Sequence, residues 1–184
     1  MINFSETLRL IHNLIRVGTI DQVDVEKARC RVRIGDLITG WVPWISPRAG
    51  ATRDWDPPTI GEQVVLLSPG GELTTGVALP GIYTKHHPAP SQNQAMYVRV
   101  FPDGARIEYD HEASHLVASL PGSAQITAAN GLTVDADTVI NGNATINGDV
   151  SFSGGSVTHE GTDIGATHKH SGVQSGGSIT GGPV

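Results

Sequence analysis

The chain has 184 residues, with 12 Lys and Arg against 18 Asp and Glu and a formal charge of -6. That balance, without any long basic run, excludes the electrostatic footprint of a nucleic-acid-binding protein, and no stretch approaches the ~20 apolar residues that span a bilayer. Cys30 is the only cysteine, which excludes an intrachain disulfide.

Leu, Ile, Trp, Pro and most Arg crowd the first part of the chain, whereas Gly, Ser, Thr, Asn and His dominate the rest. A compact first domain followed by a fibrous one is therefore expected. Asn3, Glu6, Arg9, His12 and Arg16 interrupt any apolar stretch of a signal peptide, so synthesis in the cytoplasm without one is expected.

In chain order, Leu8, Ile11, Leu14 and Ile15 at helical spacing predict a short amphipathic helix from Ser5 to Arg16, with Ser5 as N-cap and Gly18 ending it. Alternating or apolar runs then predict strands at Val17 to Val25, Ala28 to Ile34, Leu37 to Val42, Gln63 to Ser68 and Thr74 to Leu79. Pro69-Gly70-Gly71 reads as a hairpin loop. Short strands at this density suit a small closed barrel of the OB type. Cys30, flanked by outward Arg29 and Arg31, reads as a buried, inert thiol.

Trp41, Trp44 and Trp55 sit beside Pro43, Pro57 and Pro58. With no basic patch evident around them, they read as packing or subunit-interface residues, the alternative being a platform that stacks on sugars or bases. His86 to Asn93 is a polar, proline-bearing linker. His86 and His87, being adjacent, point to opposite sides of an extended chain and are unsuited to chelating one ion. Strands follow at Tyr97 to Phe101, Ala105 to Tyr109 and Ser114 to Leu120.

From Leu116 to Gly154 nearly every even position is apolar or small and the odd ones are mostly polar. Ile140-Asn141-Gly142, Ile146-Asn147-Gly148 and Phe152-Ser153-Gly154 recur every six residues. β side chains alternate faces, so one face is apolar, and a repeat this short indicates a β-helix. The apolar stripe is too thin to form a core in one chain. Identical chains wound about an axis would bury it and pair every backbone edge, and a trimer is expected.

His168 and His170 lie two residues apart, on one face of an extended chain and in the inward register. On a threefold axis they would offer six imidazole nitrogens, a shell that disfavours zinc and suits iron or nickel. A single-chain site would need a third ligand, for which His159 and Glu160 are the candidates. Otherwise the pair is merely solvated in a Gly/Ser tail.

The run from Gly61 to Leu73, continuing through Gly76 to Tyr83, resembles the OB-type domain of the phage baseplate assembly protein V family, the central spikes of contractile phage tails and R-type bacteriocins such as R-type pyocins. The Trp41 to Pro58 segment and the terminal His168-Lys169-His170 resemble the same family. The resemblance implies a mainly β homotrimer: a short N-terminal helix and OB-type barrel followed by an intertwined trimeric β-helix with a pointed metal-bound tip. It further implies one iron ion per trimer, held by His168 and His170 of three chains. The implied partners are the baseplate hub, the tail tube and the target bacterium's outer membrane, without nucleic acid.

The expected boundaries are 1–17 for the helix, 18–85 for the OB domain, 86–95 for the linker, 96–160 for the β-helix and 161–184 for the tip. The chain would be assembled at the distal end of the tail. No nucleophile-base or paired-carboxylate constellation points to an enzyme. The competing readings are a receptor- or carbohydrate-binding fibre tip and a mononuclear iron enzyme using His168 and His170.

Overall fold

The computed structural model describes residues 3–166, 168, 169, 171, 172 and 176. The chain divides into two compact units, Met1–Ile126 and Thr127–Val184.

In the first unit, helix α1 spans Phe4–Asn13. Its N-cap is Asn3, whose Oδ1 accepts from the Glu6 amide at 3.3 Å, rather than Ser5. Arg9 donates to both Glu6 carboxylate oxygens at 2.8 and 2.6 Å and reaches Glu72 at 3.4 Å. The Arg9 hydrogen bond holds the Glu6 carboxyl below its usual range. The helix stops short of Arg16 because the Leu14 carbonyl is taken by the Ser68 amide at 2.8 Å and Ile15 pairs with Leu67. Gly18 is thus no helix terminator. It lies inside β1 (Ile15–Asp24), where a Cβ would sit 2.6 Å from the Arg33 carbonyl oxygen of the crossing strand.

The remaining barrel strands are β2 (Arg29–Ile34), β3 (Leu37–Ile38), β4 (Gln63–Leu67) and β5 (Val77–Ile82), in antiparallel order β3-β2-β1-β4-β5. The expected strand from Leu37 to Val42 shrinks to two residues because Thr39 leaves the ladder. Its Oγ1 accepts from the Val32 amide at 3.0 Å, and its own amide donates to the Val32 carbonyl at 2.9 Å. Pro69–Gly71 lies, as expected, in the hairpin connection between the antiparallel partners β4 and β5, where it forms a 3-10 turn, and a second such turn at Leu73–Thr75 delays the last strand from Thr74 to Val77.

Residues 42–45 close the barrel. Val42 bridges Cys30 of β2, Trp44 bridges Ala78 of β5, and the Ile45 amide donates to the Ala78 carbonyl at 2.8 Å. Alternation then turns Ile20, Cys30, Val32, Val42, Val64, Leu66 and Ala78 into one buried core, with Trp44 packed against it.

Three further strands of the first unit, β6 (Met96–Val100), β7 (Arg106–Asp110) and β8 (His115–Ser119), form an antiparallel meander. Asp103 Oδ1 accepts from the Ala105 amide in the first turn, and Asp110 Oδ1 accepts from the Glu112 and Ala113 amides in the second. An ion pair joins Arg99 of β6 to Asp56 of the loop before β4.

Among the described residues no strand is assigned between Ser119 and Thr158. Within one chain the apolar residues of that stretch stay in the open, Ile140 and Ile146 both at 65% and Phe152 at 72% exposure. In the second unit, β9 (Thr158–His159) and β10 (Thr162–Asp163) make a small hairpin. Its turn residues Glu160 and Gly161 both have positive φ, +48° and +77°, the backbone that a tight hairpin of this hand requires.

Candidate functional site

The β9–β10 hairpin leads directly into the segment that carries His168. Its ladder extends one step, the Ile164 amide donating to the Val157 carbonyl at 2.8 Å. Asp163 Oδ1 then accepts from the Gly165 amide at 2.8 Å, folding the chain back on itself. The Gly165 carbonyl in turn receives the His168 amide at 3.2 Å and the His168 ring Nδ1 at 2.6 Å.

A carbonyl only accepts, so Nδ1 is the donor in this contact. A metal-ligating imidazole is commonly fixed in this way, with the second nitrogen anchored to a carbonyl. The His168 side chain is exposed, and imidazole is a side chain of the kind that ligates transition metals. His170, its expected partner, lies outside the described residues.

His159 pairs with Thr162 in the hairpin and Glu160 occupies its turn. Among the described residues no three His, Cys, Asp or Glu side chains gather closely enough to hold an ion. His86 and His87 are exposed, their amides donating to Thr84 Oγ1 at 3.2 and 3.0 Å.

The tryptophans occupy the other chemically distinctive region. Trp44 and Trp55 lie with ring centroids 5.7 Å apart at 53°, while the Arg31 guanidinium stands over the Trp41 ring at 5.9 Å. Contrary to the expectation of no basic patch here, Arg29, Arg48 and Arg53 line a cleft of about 490 Å³ with Trp44 and Trp55. Barrel closure brings them together, because the Cys30–Val42 bridge sets Arg29 beside the start of the Trp44 loop.

Cys30 itself has no accessible surface, and burial pushes its thiol up to about 11. Among the described residues no helix is long and apolar enough to cross a membrane.

Sequence comparisons converge on the same two regions. Residues 16–83 match the model of the type VI secretion system/phage-baseplate injector OB domain, and residues 166–184 match that of the GpV Apex motif. Across nearly its whole length the chain is also similar to the "Spike protein" of Escherichia phage P2, at 38% identity over 210 aligned positions covering 99% of this chain and 98% of that relative.

An OB barrel at one end and an apex motif at the other define an injector component of a phage-type baseplate. The chain belongs to the phage baseplate assembly protein V family, the structural spikes at the centre of phage tails.

Proposed function

We propose that three copies of this chain form the central spike of a contractile injection apparatus, with the barrels docked on the baseplate hub at the end of the tail tube. Residues 96–160 would wind into an intertwined β-helix, residues 86–95 would link it to the barrel, and residues 161–184 would close the tip. The observation that carries this reading is the apolar stripe. Ile126, Leu132, Val134, Ile140, Ile146 and Phe152 are all exposed in one chain. Three stripes meeting on an axis would remove that area from water, at roughly 25 cal/mol per Å². Neighbouring copies would also supply ladder partners to a stretch in which no strand is assigned within one chain among the described residues.

At the tip, His168 and His170 of each chain would hold one iron ion per trimer. The ion would supply a cross-link among three chain ends that otherwise fray. Gly165 orients the His168 ring toward that role, and Asp163 holds Gly165. The work of the protein is then mechanical: sheath contraction drives the tube, and a narrow spike concentrates the force on the target's outer membrane. The barrel and apex call for no hydrolytic chemistry, in keeping with a structural, non-enzymatic part.

Native mass spectrometry with elemental analysis tests the whole reading. A trimer carrying a single iron is expected. A stable monomer would overturn the architecture, and one iron per chain would favour a mononuclear site instead.

A further inference from the structure

The cleft beside the barrel closure joins three features that the spike architecture leaves unused. Its walls are aromatic, from the tilted Trp44–Trp55 pair, and Trp55 is 62% exposed. Its rim is cationic, from Arg29, Arg48 and Arg53, against the single carboxylate of Asp54. Its loop is held in shape: Ala49 bridges Arg53, the Asp54 amide donates to the Arg48 carbonyl at 3.0 Å, and the Ser46 hydroxyl shares its one proton between the Arg48 and Asp54 carbonyls, 3.2 and 3.1 Å away.

The arginines stand ready. Arg29 Nη1 is anchored on the Ala28 and Lys27 carbonyls at 2.9 and 3.3 Å, with no carboxylate paired to it among the described residues. The Arg48 and Arg53 guanidiniums have no hydrogen-bond or ion-pair partner among the described residues. Elsewhere in the first unit Arg9, Arg33, Arg99 and Arg106 are each matched with a carboxylate. An unmatched cationic rim on a chain of formal charge -6 is thus a local inversion of sign.

We propose that this cleft binds an acidic segment of a partner protein, one that carries an aromatic side chain between its carboxylates. Guanidinium forks pair carboxylates in bidentate fashion, and a ring laid against the exposed surface of Trp55 gains the tilted or offset contacts that aromatic pairs prefer. Such an aromatic anchor ringed by charge is the arrangement that concentrates binding energy at protein interfaces. A volume of about 490 Å³ accommodates one such anchor and its flanking residues. A nucleic-acid strand fits less well, because it needs a basic track along many phosphates and Asp54 opposes it here. The inference stands on the cleft alone and is independent of metal at the tip.

The test uses the full-length protein and two synthetic decapeptides of Asp and Glu, one with a central phenylalanine and the other with alanine in its place. Tryptophan fluorescence reads out binding. The phenylalanine peptide should bind saturably and at least tenfold tighter than the alanine peptide. Arg48→Glu, Arg53→Glu and Trp55→Ala should each weaken it at least tenfold, whereas Lys85→Glu, a reversal outside the cleft, should leave it unchanged. Arg48→Gln and Arg53→Gln replace the reversals if either fails to fold.

No saturable binding would overturn the proposal. So would equal binding of the two peptides, an equal loss in Lys85→Glu, or tighter binding of a thymidine oligonucleotide. A change of oligomer mass in Arg48→Glu would assign the cleft to contacts between copies and overturn it as well.

Discussion

The His168 ring and the Gly165 carbonyl meet at 2.6 Å, and that contact decides which imidazole nitrogen faces outward. With Nδ1 committed as donor, Nε2 is the atom that would meet the proposed ion, and the Asp163 carboxylate supports the ring indirectly through the Gly165 amide. His168→Ala should therefore abolish iron retention in the trimer, since each substitution removes three ligands at once. Asp163→Ala should leave the ligands intact and weaken retention by about 10- to 100-fold. Elemental analysis after dialysis against graded chelator distinguishes the two. Equal retention by Asp163→Ala and the unaltered protein would show that the ring needs no support from Gly165.

Gly70 and Gly71 offer a paired test of how α1 is seated. Both have positive φ, +66° and +76°. A Cβ on Gly70 would meet nothing within 4 Å, while one on Gly71 would lie 2.2 Å from the Leu10 carbonyl oxygen of α1. Gly70→Ala should cost about 1 kcal/mol from backbone strain alone. Gly71→Ala adds a clash with helix backbone and should cost about 3 kcal/mol or more, with α1 lifted from the turn. Denaturant unfolding of both variants gives the comparison, and similar losses would mean that the helix is free to shift.

The parity of the repeat is tested by substitution, because within a single chain odd and even positions are alike exposed between 121 and 156. Ile146→Asp would bring three carboxylates together on the axis in low dielectric and should prevent trimer formation. Thr145→Asp, one residue away and on the opposite face, should assemble normally. Sedimentation equilibrium reads both. Trimers from Ile146→Asp would show that the even positions face outward.

The barrel was legible in sequence because closure leaves each strand one wet and one dry face. Val64 and Leu66 are fully buried, while Gln63, Val65 and Leu67 keep some exposure. The ends of elements were less legible, for reasons outside the local sequence. Asn3 and Ser5 are both competent caps, and only the capture of the Leu14 carbonyl by Ser68 fixes where the helix must stop. Gly18 reads as a terminator until β2 is seen to cross it. The arginine rim was hidden for the same reason, since Arg29 and Arg48 belong to different segments that meet only through the Cys30–Val42 bridge. At the tip, the spacing of His168 and His170 was visible, but the carbonyl that orients the His168 ring depends on the backbone fold between Asp163 and Gly165.

Cys30 supplies the pH dependence. Its thiol is buried among Val32, Val42 and the rest of the barrel core, and desolvation raises it from an ordinary 9.0 to about 11. The folded state thus holds the proton more tightly than the unfolded state. The resulting stabilisation is complete below pH 9 and is lost as the pH rises toward 11, by roughly 2–3 kcal/mol across that window. Cys30→Ala removes the titrating group, so its stability should fall less over the same range, even though it starts lower by about 1 kcal/mol from lost packing. Chemical denaturation of both proteins at pH 8 and pH 10.5 checks the slope, and the comparison cancels the titration of tyrosines and lysines that both share. Iodoacetamide provides a second measure: the native thiol should resist alkylation at pH 8 and react fully once the barrel is unfolded. Parallel pH profiles for the two proteins, or rapid alkylation of the native chain, would mean that Cys30 is open to solvent on the timescale of the reaction.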